Sequence, residues 1–353
     1  MANSFNYTIH EIVTIVSEVI LPELEPFRTA EAIAAPTMRV QIGKDRRPAS
    51  ELAPDARRIN YDEGFGPLGF RVQIEMGKTI TVWASPLLKL STHVLYTNVV
   101  EPILRWTFVE KGYTLVHSAC VAFGEQAYFI TAKTDTGKTT TLLRILSRQR
   151  RTPDTGAFIA DDLTLLSPQG EVLTYPKPLT ISSHTVHAIN TTGLSWPTRL
   201  FLAFQSRIHS RNGRRAAHYL AQTKLPMATV NAYVQFFIPP PKYYVQQMVP
   251  GVKLATRARL AGLFVIEREG GDVVKPLAGE EALDILMCNC EDAYGFPPYR
   301  AIEGFLYNAH GRDLRVTERQ IVASALDSLP ATLIRSKTSD WWQAILDRVT
   351  PQP

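Results

Sequence analysis

The sequence predicts an α/β fold: a mixed sheet whose central strand runs into a tight Gly-Lys-Thr loop, with a small N-terminal α+β region and a helical C-terminal tail. Three observations predict it. Residues 127–140 (AYFITAKTDTGKTT) read as a short apolar strand, a loop ending in Gly137-Lys138-Thr139-Thr140, and then Leu142-Leu143-Arg144-Ile145-Leu146 at the spacing of an amphipathic helix. Residues 157–166 (AFIADDLTLL) read as a buried strand interrupted by two adjacent acids, Asp161 and Asp162. Residues 114–123 and 126–131 read as strands joined by Gly124-Glu125, so an antiparallel hairpin feeds the loop.

Strand, loop, Gly-Lys-Thr and helix together form the context of a P-loop. Loop amides and the helix N-terminus present partial positive charge to phosphate. In that context Lys138 reaches the β- and γ-phosphates, and the Thr139 hydroxyl completes a Mg²⁺ shell. Ala132 stands where the pattern has its first glycine, and Asp135 sits mid-loop where glycine is easier. Nucleotide-binding positions are therefore Ala132, Lys133, Thr134, Asp135, Thr136, Gly137, Lys138, Thr139 and Thr140. Adjacent carboxylates in an apolar strand are costly unless a cation or a hydrogen-bond donor meets them. His117 lies on the first hairpin strand, where register can bring it to the loop.

These residues resemble the catalytic domain of HPr kinase/phosphorylase, which shares its P-loop fold with phosphoenolpyruvate carboxykinases. The resemblance rests on Val116-His117-Ser118, the loop Ala132–Thr140 and Ile159-Ala160-Asp161-Asp162, and covers about residues 95–290. Lys242–Val245, Leu260–Glu267, Pro276-Leu277 and Glu281–Leu283 resemble that family's closing strands and first packing helix. It implies an ATP- and Mg²⁺-dependent kinase that transfers a phosphoryl group to a hydroxyl of a protein, peptide or small molecule. Asp161 is then the general base, Asp162 and Thr139 are metal ligands, and His117 and Lys138 assist at the transferred group. The family's glycine-rich signature after the catalytic region is not found, so the resemblance leaves open both the phosphorylase activity and HPr as the substrate. Two rival readings are a nucleotide-binding regulator without catalysis, marked by Ala132 and Asp135, and carboxykinase chemistry. Hexamers occur in the family, so a homo-oligomer is among the expectations.

The 353 residues suit one large core with an accessory region, read as 1–90, a catalytic domain over 91–290 and an extension over 291–353. A net charge of +5, spread along the chain, does not argue for nucleic acid. Three cysteines (Cys120, Cys288, Cys290) give no disulfide framework and no zinc spacing, which fits a reducing cytoplasm. No apolar run reaches the roughly 18 residues of a membrane span.

Elsewhere, residues 7–20 fit helix and strand equally, 44–57 a surface loop, 68–74 and 79–84 a hairpin at Gly77-Lys78, and 92–111 a helix. Gly170-Glu171 marks a turn, and 172–182 continues as extended chain around Pro176 and Pro178. Residues 200–224 read as a basic helix, and the tail as helices over 280–290, 300–308, 316–328 and 338–348. Lys177 and Lys242 each stand beside prolines where either could touch phosphate. His184 and His187 lack a third ligand.

Overall fold

The computed structural model describes residues 4–43, 56–148, 156–181, 185, 226–268, 270–309 and 311–349. The protein is α/β with mixed sheets, arranged as two compact units. No described helix is long and apolar enough to cross a membrane. The expected loop over 44–57 lies almost wholly outside the described residues, as do the basic helix over 200–224 and both His184 and His187.

Described residues of the first unit are 4–43, 56–111, 226–240, 294–309 and 311–314. Its sheet has seven strands, in the order Arg28–Thr29, Phe5–Ile9, Val13–Ser17, Met38–Ile42, Ile80–Ala84, Arg71–Met76 and Arg57–Asp62. The ambiguous stretch 7–20 is thereby a strand pair, with Phe5 opposite Ser17 and Ile9 opposite Val13. Tyr7, Ile9, Val13 and Ile15 are fully buried, an alternation that only a strand sustains. The hairpin around Gly77-Lys78 forms as expected. The expected helix over 92–111 forms with a π-helical stretch, Tyr96–Val100, set between Thr92–Leu95 and Glu101–Glu110.

The second unit carries the loop. Its sheet runs in the order Lys253–Leu254, Ala157–Ala160, Ala119–Phe123, Gln126–Thr131 and Arg257–Glu267. The first half of Arg257–Glu267 then pairs with Glu171–Leu173, which continues to Thr164–Leu166 and Thr114–Val116. Its second half pairs in parallel with Ala331–Arg335. Strand Gln126–Thr131 is antiparallel to Ala119–Phe123 and parallel to Arg257–Glu267, so the expected hairpin does feed the loop.

Helices cover both faces of this sheet. Ile130, Phe264 and Ile266 pack on one side against Leu142, Leu143, Ile145, Trp341 and Ile345. Phe129, Leu263 and Val265 pack on the other against Leu283, Leu286, Val322 and Leu326. Neighbouring residues of one strand thus serve opposite cores, which is why these strands read as continuous apolar runs.

Three local readings are corrected. Residues 157–166 are not one strand: Ala157–Ala160 and Thr164–Leu166 are separate, and the acids occupy the break. Lys242–Val245 is not a strand throughout, since a helix, Val245–Met248, starts after Lys242–Tyr243. The tail holds its helices at Gly279–Asp292, Tyr299–Tyr307, Leu314–Leu326 and Trp341–Val349, but Ala331–Arg335 is a sheet strand between them. Its burial does not alternate, because the adjacent Leu333 and Ile334 are both buried. Phe129 lies in the centre of the sheet with no exposed surface. Phe129→Ala is expected to cost about 3–5 kcal/mol in urea unfolding.

Candidate functional site

Two of the second unit's strands break beside each other, and the site grows from those breaks. The expected strand 114–123 stops at Val116 and resumes at Ala119. There Ser118 N–H donates to the Val116 carbonyl at 2.9 Å, closing a three-residue turn centred on His117. In the second break Leu163 N–H donates to the Asp161 carbonyl at 3.0 Å, a turn of the same size centred on Asp162. Asp162 takes φ 75°, the left-handed form of this turn, which is rare and strained for an L-residue. Thr164 Oγ1 donates to the Ser118 carbonyl at 3.1 Å and ties the breaks together. Strands that change partner here release His117, Asp161 and Asp162 from the regular ladder.

The loop arrives from the adjoining strand. Ala132 is buried and is not among the residues with positive φ, so its methyl group is tolerated where the pattern has glycine. Lys133, Thr134 and Asp135 are exposed, and Asp135 takes φ 66°, the geometry for which glycine is easier. Gly137 has φ 129°, a conformation nearly confined to glycine. A Cβ there would meet the Trp341 ring at 3.2 Å. Helix Lys138–Arg148 then begins, with Thr141 N–H bonding the Gly137 carbonyl at 2.9 Å. The Thr140 hydroxyl lies 3.1 Å from that of Thr185.

The Lys138 ammonium is buried, donating to the Ala132 carbonyl at 3.0 Å and lying 3.0 Å from His117 Nε2. Burial pulls its pKa below the usual lysine value, against the carboxylates of Asp162 and Asp161, which push it up. His117 Nδ1 is 2.7 Å from the Asn289 carbonyl. A carbonyl only accepts, so Nδ1 carries a hydrogen and Nε2 is the nitrogen turned to Lys138 and to Asp162 Oδ1, 3.2 Å away. Asn289 Nδ2 donates to Thr131 Oγ1, which donates to the His117 carbonyl, fixing the turn from behind.

The two aspartates have different environments. Thr139 Oγ1 donates to Asp161 Oδ2 at 2.6 Å, while Asp161 Oδ1 is buried with no hydrogen-bond partner among the described residues. Burial pushes the Asp161 carboxyl up to about 6; Asp162 adds to this, and the Thr139 hydrogen bond, Lys138 and His117 oppose it. Asp162 accepts from Lys177 Nζ at 2.9 Å, with His117 at its other oxygen. Dense surrounding protein opposes its ionisation, but Lys177 and His117 outweigh this and hold the carboxyl well below the usual range. Even so, 55 % of the Asp162 side chain meets solvent.

The structure therefore brings His117, Lys138, Thr139, Asp161 and Asp162 together in two bonded groups, Lys138–His117–Asp162–Lys177 and Thr139–Asp161, joined along the backbone at 138–139 and 161–162. Thr139 reaches Asp161, while the partners of Asp162 are Lys177 and His117. Asn289 was invisible to sequence reasoning: it lies 172 residues from His117 and acts through its backbone. The proline-flanked Lys177 is identifiable from sequence, but its partner is not.

Hard-cation chemistry suits this donor set. Mg²⁺ binds through one or two carboxylates plus substrate phosphates and water rather than in an all-protein cage. A hydroxyl, an orphaned carboxylate oxygen and a second carboxylate supply that partial shell. No cluster of three or more His, Cys, Asp or Glu side chains suited to a metal ion occurs among the described residues. No protein-family model matches the chain, and no curated protein matches it either.

Asp161 ionises at a higher pH in the folded protein than the ordinary carboxyl value of 3.8. The folded state thus holds the proton longer, and stability is lost as pH rises from about 4 to about 6. Asp161→Asn removes this loss while keeping an acceptor for Thr139. Its stability relative to wild type is expected to rise across that window by up to about 3 kcal/mol, read from urea unfolding at a series of pH values. Gly137→Ala is expected to destabilise by about 1–3 kcal/mol in the same assay.

Proposed function

We propose that the chain is an ATP-dependent phosphotransferase with a P-loop fold of the HPr kinase and phosphoenolpyruvate carboxykinase kind, acting on a hydroxyl acceptor. One observation carries the reading. The Gly-Lys-Thr loop and the aspartate pair are joined through direct side-chain contacts, Lys138 to His117 to Asp162 and Thr139 to Asp161. Loop and acids are 22 residues apart in sequence, on separate elements, and a chance loop has no need of them.

In this reading the loop amides and Lys138 receive the phosphate chain. Lys138 leaves the Ala132 carbonyl for phosphate oxygen, and the incoming negative charge restores its preference for the ammonium form. Thr139 and Asp162 would hold Mg²⁺, which would neutralise charge on the phosphates. Asp161 Oδ1 takes the proton of the acceptor hydroxyl as the oxygen–phosphorus bond forms and the bond to the leaving diphosphate breaks. A carboxyl raised to about 6 suits a base working near neutrality. His117 Nε2 lies within reach of both Lys138 and Asp162 Oδ1 and bonds one of them at a time, and Lys177 holds the second Asp162 oxygen. The protein would work in the cytoplasm, and self-association belongs to the same proposal.

Lys138→Ala is expected to abolish transfer from γ-labelled ATP to acceptors in a lysate. Asp161→Asn is expected to bind Mg·ATP within about threefold of wild type while turnover falls by roughly 10²–10⁴-fold. Wild-type turnover should decline as pH drops below about 6, where Asp161 takes up its proton. Near-native turnover in Asp161→Asn contradicts the base assignment. Binding of ATP with no labelled product from wild type favours the non-catalytic regulator instead.

A further inference from the structure

The loop has a second cation beside it that the site described above does not use. Arg268 follows directly on strand Arg257–Glu267, the parallel neighbour of the strand that feeds the loop. Its Nη2 lies 3.5 Å from the position a Gly137 Cβ would occupy. The guanidinium sits 5.7 Å from the centre of the Trp341 ring. Trp341 is itself buried and fixed, its Nε1 donating to the Glu267 carbonyl at 3.1 Å.

We propose that Arg268, resting on Trp341 beside Gly137, is a second cationic ligand for the phosphate chain that the loop receives, a proposal that rests on the nucleotide reading above. Gly137 immediately precedes Lys138, and the guanidinium borders the space a side chain at 137 would occupy, beside the Trp341 ring. Among the described residues no carboxylate pairs with Arg268. Its acidic neighbour Glu267 is taken by Arg335, which donates through Nη2 at 2.8 Å and Nε at 3.1 Å. Lys138 is buried and turned inward to Ala132 and His117, whereas Arg268 is exposed. An incoming polyphosphate therefore meets Arg268 first and Lys138 after it. A cation–π contact with an indole face does not use up the N–H donors of a guanidinium, and that planar fork matches phosphate oxygens. The ring also limits the positions the side chain samples before ligand arrives.

The test uses the full chain and its Arg268→Ala and Arg268→Lys variants, titrated calorimetrically with Mg·ATP, Mg·GTP and inorganic tripolyphosphate. Arg268→Ala is expected to weaken all three by about tenfold or more, the effect of losing one charge-assisted contact. Arg268→Lys should fall between Ala and wild type, and the melting temperature without ligand should stay the same. Unchanged affinity in Arg268→Ala overturns the proposal. A loss for ATP without a matching loss for tripolyphosphate also overturns it, because the arginine then contacts the nucleoside. Wild-type protein that binds none of the three overturns the nucleotide reading itself, a different result from equal binding by wild type and variant.

Discussion

Ionisable groups forced into the apolar end of a doubly covered sheet are the constraint on which this structure depends. Lys138 and Asp161 are both buried, and one oxygen of Asp161 has no hydrogen-bond partner among the described residues. An isolated charge in such a place costs several kcal/mol, and an orphaned acceptor about 1–3 kcal/mol. The fold offsets this by concentrating the groups, so that lysine, imidazole and carboxylates answer one another. The remaining imbalance, a lowered lysine and a raised aspartate, is what a polyanion with its cation would relieve.

Backbone geometry brings the groups together. Two strands that could have run unbroken stop at His117-Ser118 and at Asp161-Asp162 and change partners there. Three-residue turns at these points lift polar side chains out of the ladder, and Asp162 takes a left-handed φ to do so. Beside them Gly137 adopts a φ that other residues rarely take, against the edge of Trp341. Strain gathers where the charges gather, the arrangement expected of a site held ready for a ligand.

Much of this was legible in the amino-acid order. The Gly-Lys-Thr turn before Leu142-Leu143 announced strand, loop and helix, and adjacent aspartates within an apolar stretch announced a site because burial penalises them. The acids marked an interruption, but AFIA and TLL both read as strand, and that the two halves pair with different partners was not legible. Nor was the strand Ala331–Arg335, whose adjacent buried Leu333 and Ile334 break the alternation a strand would show. Contacts made through the backbone, such as the Asn289 carbonyl on His117, leave no residue-type signal at all. The pairing of Lys177 with Asp162 depends on a proline-flanked turn whose direction local sequence does not encode.

The central claim is that the loop and the acids form one polyphosphate site, and phosphorus NMR of Mg·ATP mixed with the full-length protein tests it most directly. The β- and γ-phosphorus resonances are expected to shift or broaden with wild type and to remain as in free Mg·ATP with Lys138→Ala. Identical spectra with and without wild-type protein, with protein and Mg·ATP at comparable concentrations, would contradict the claim.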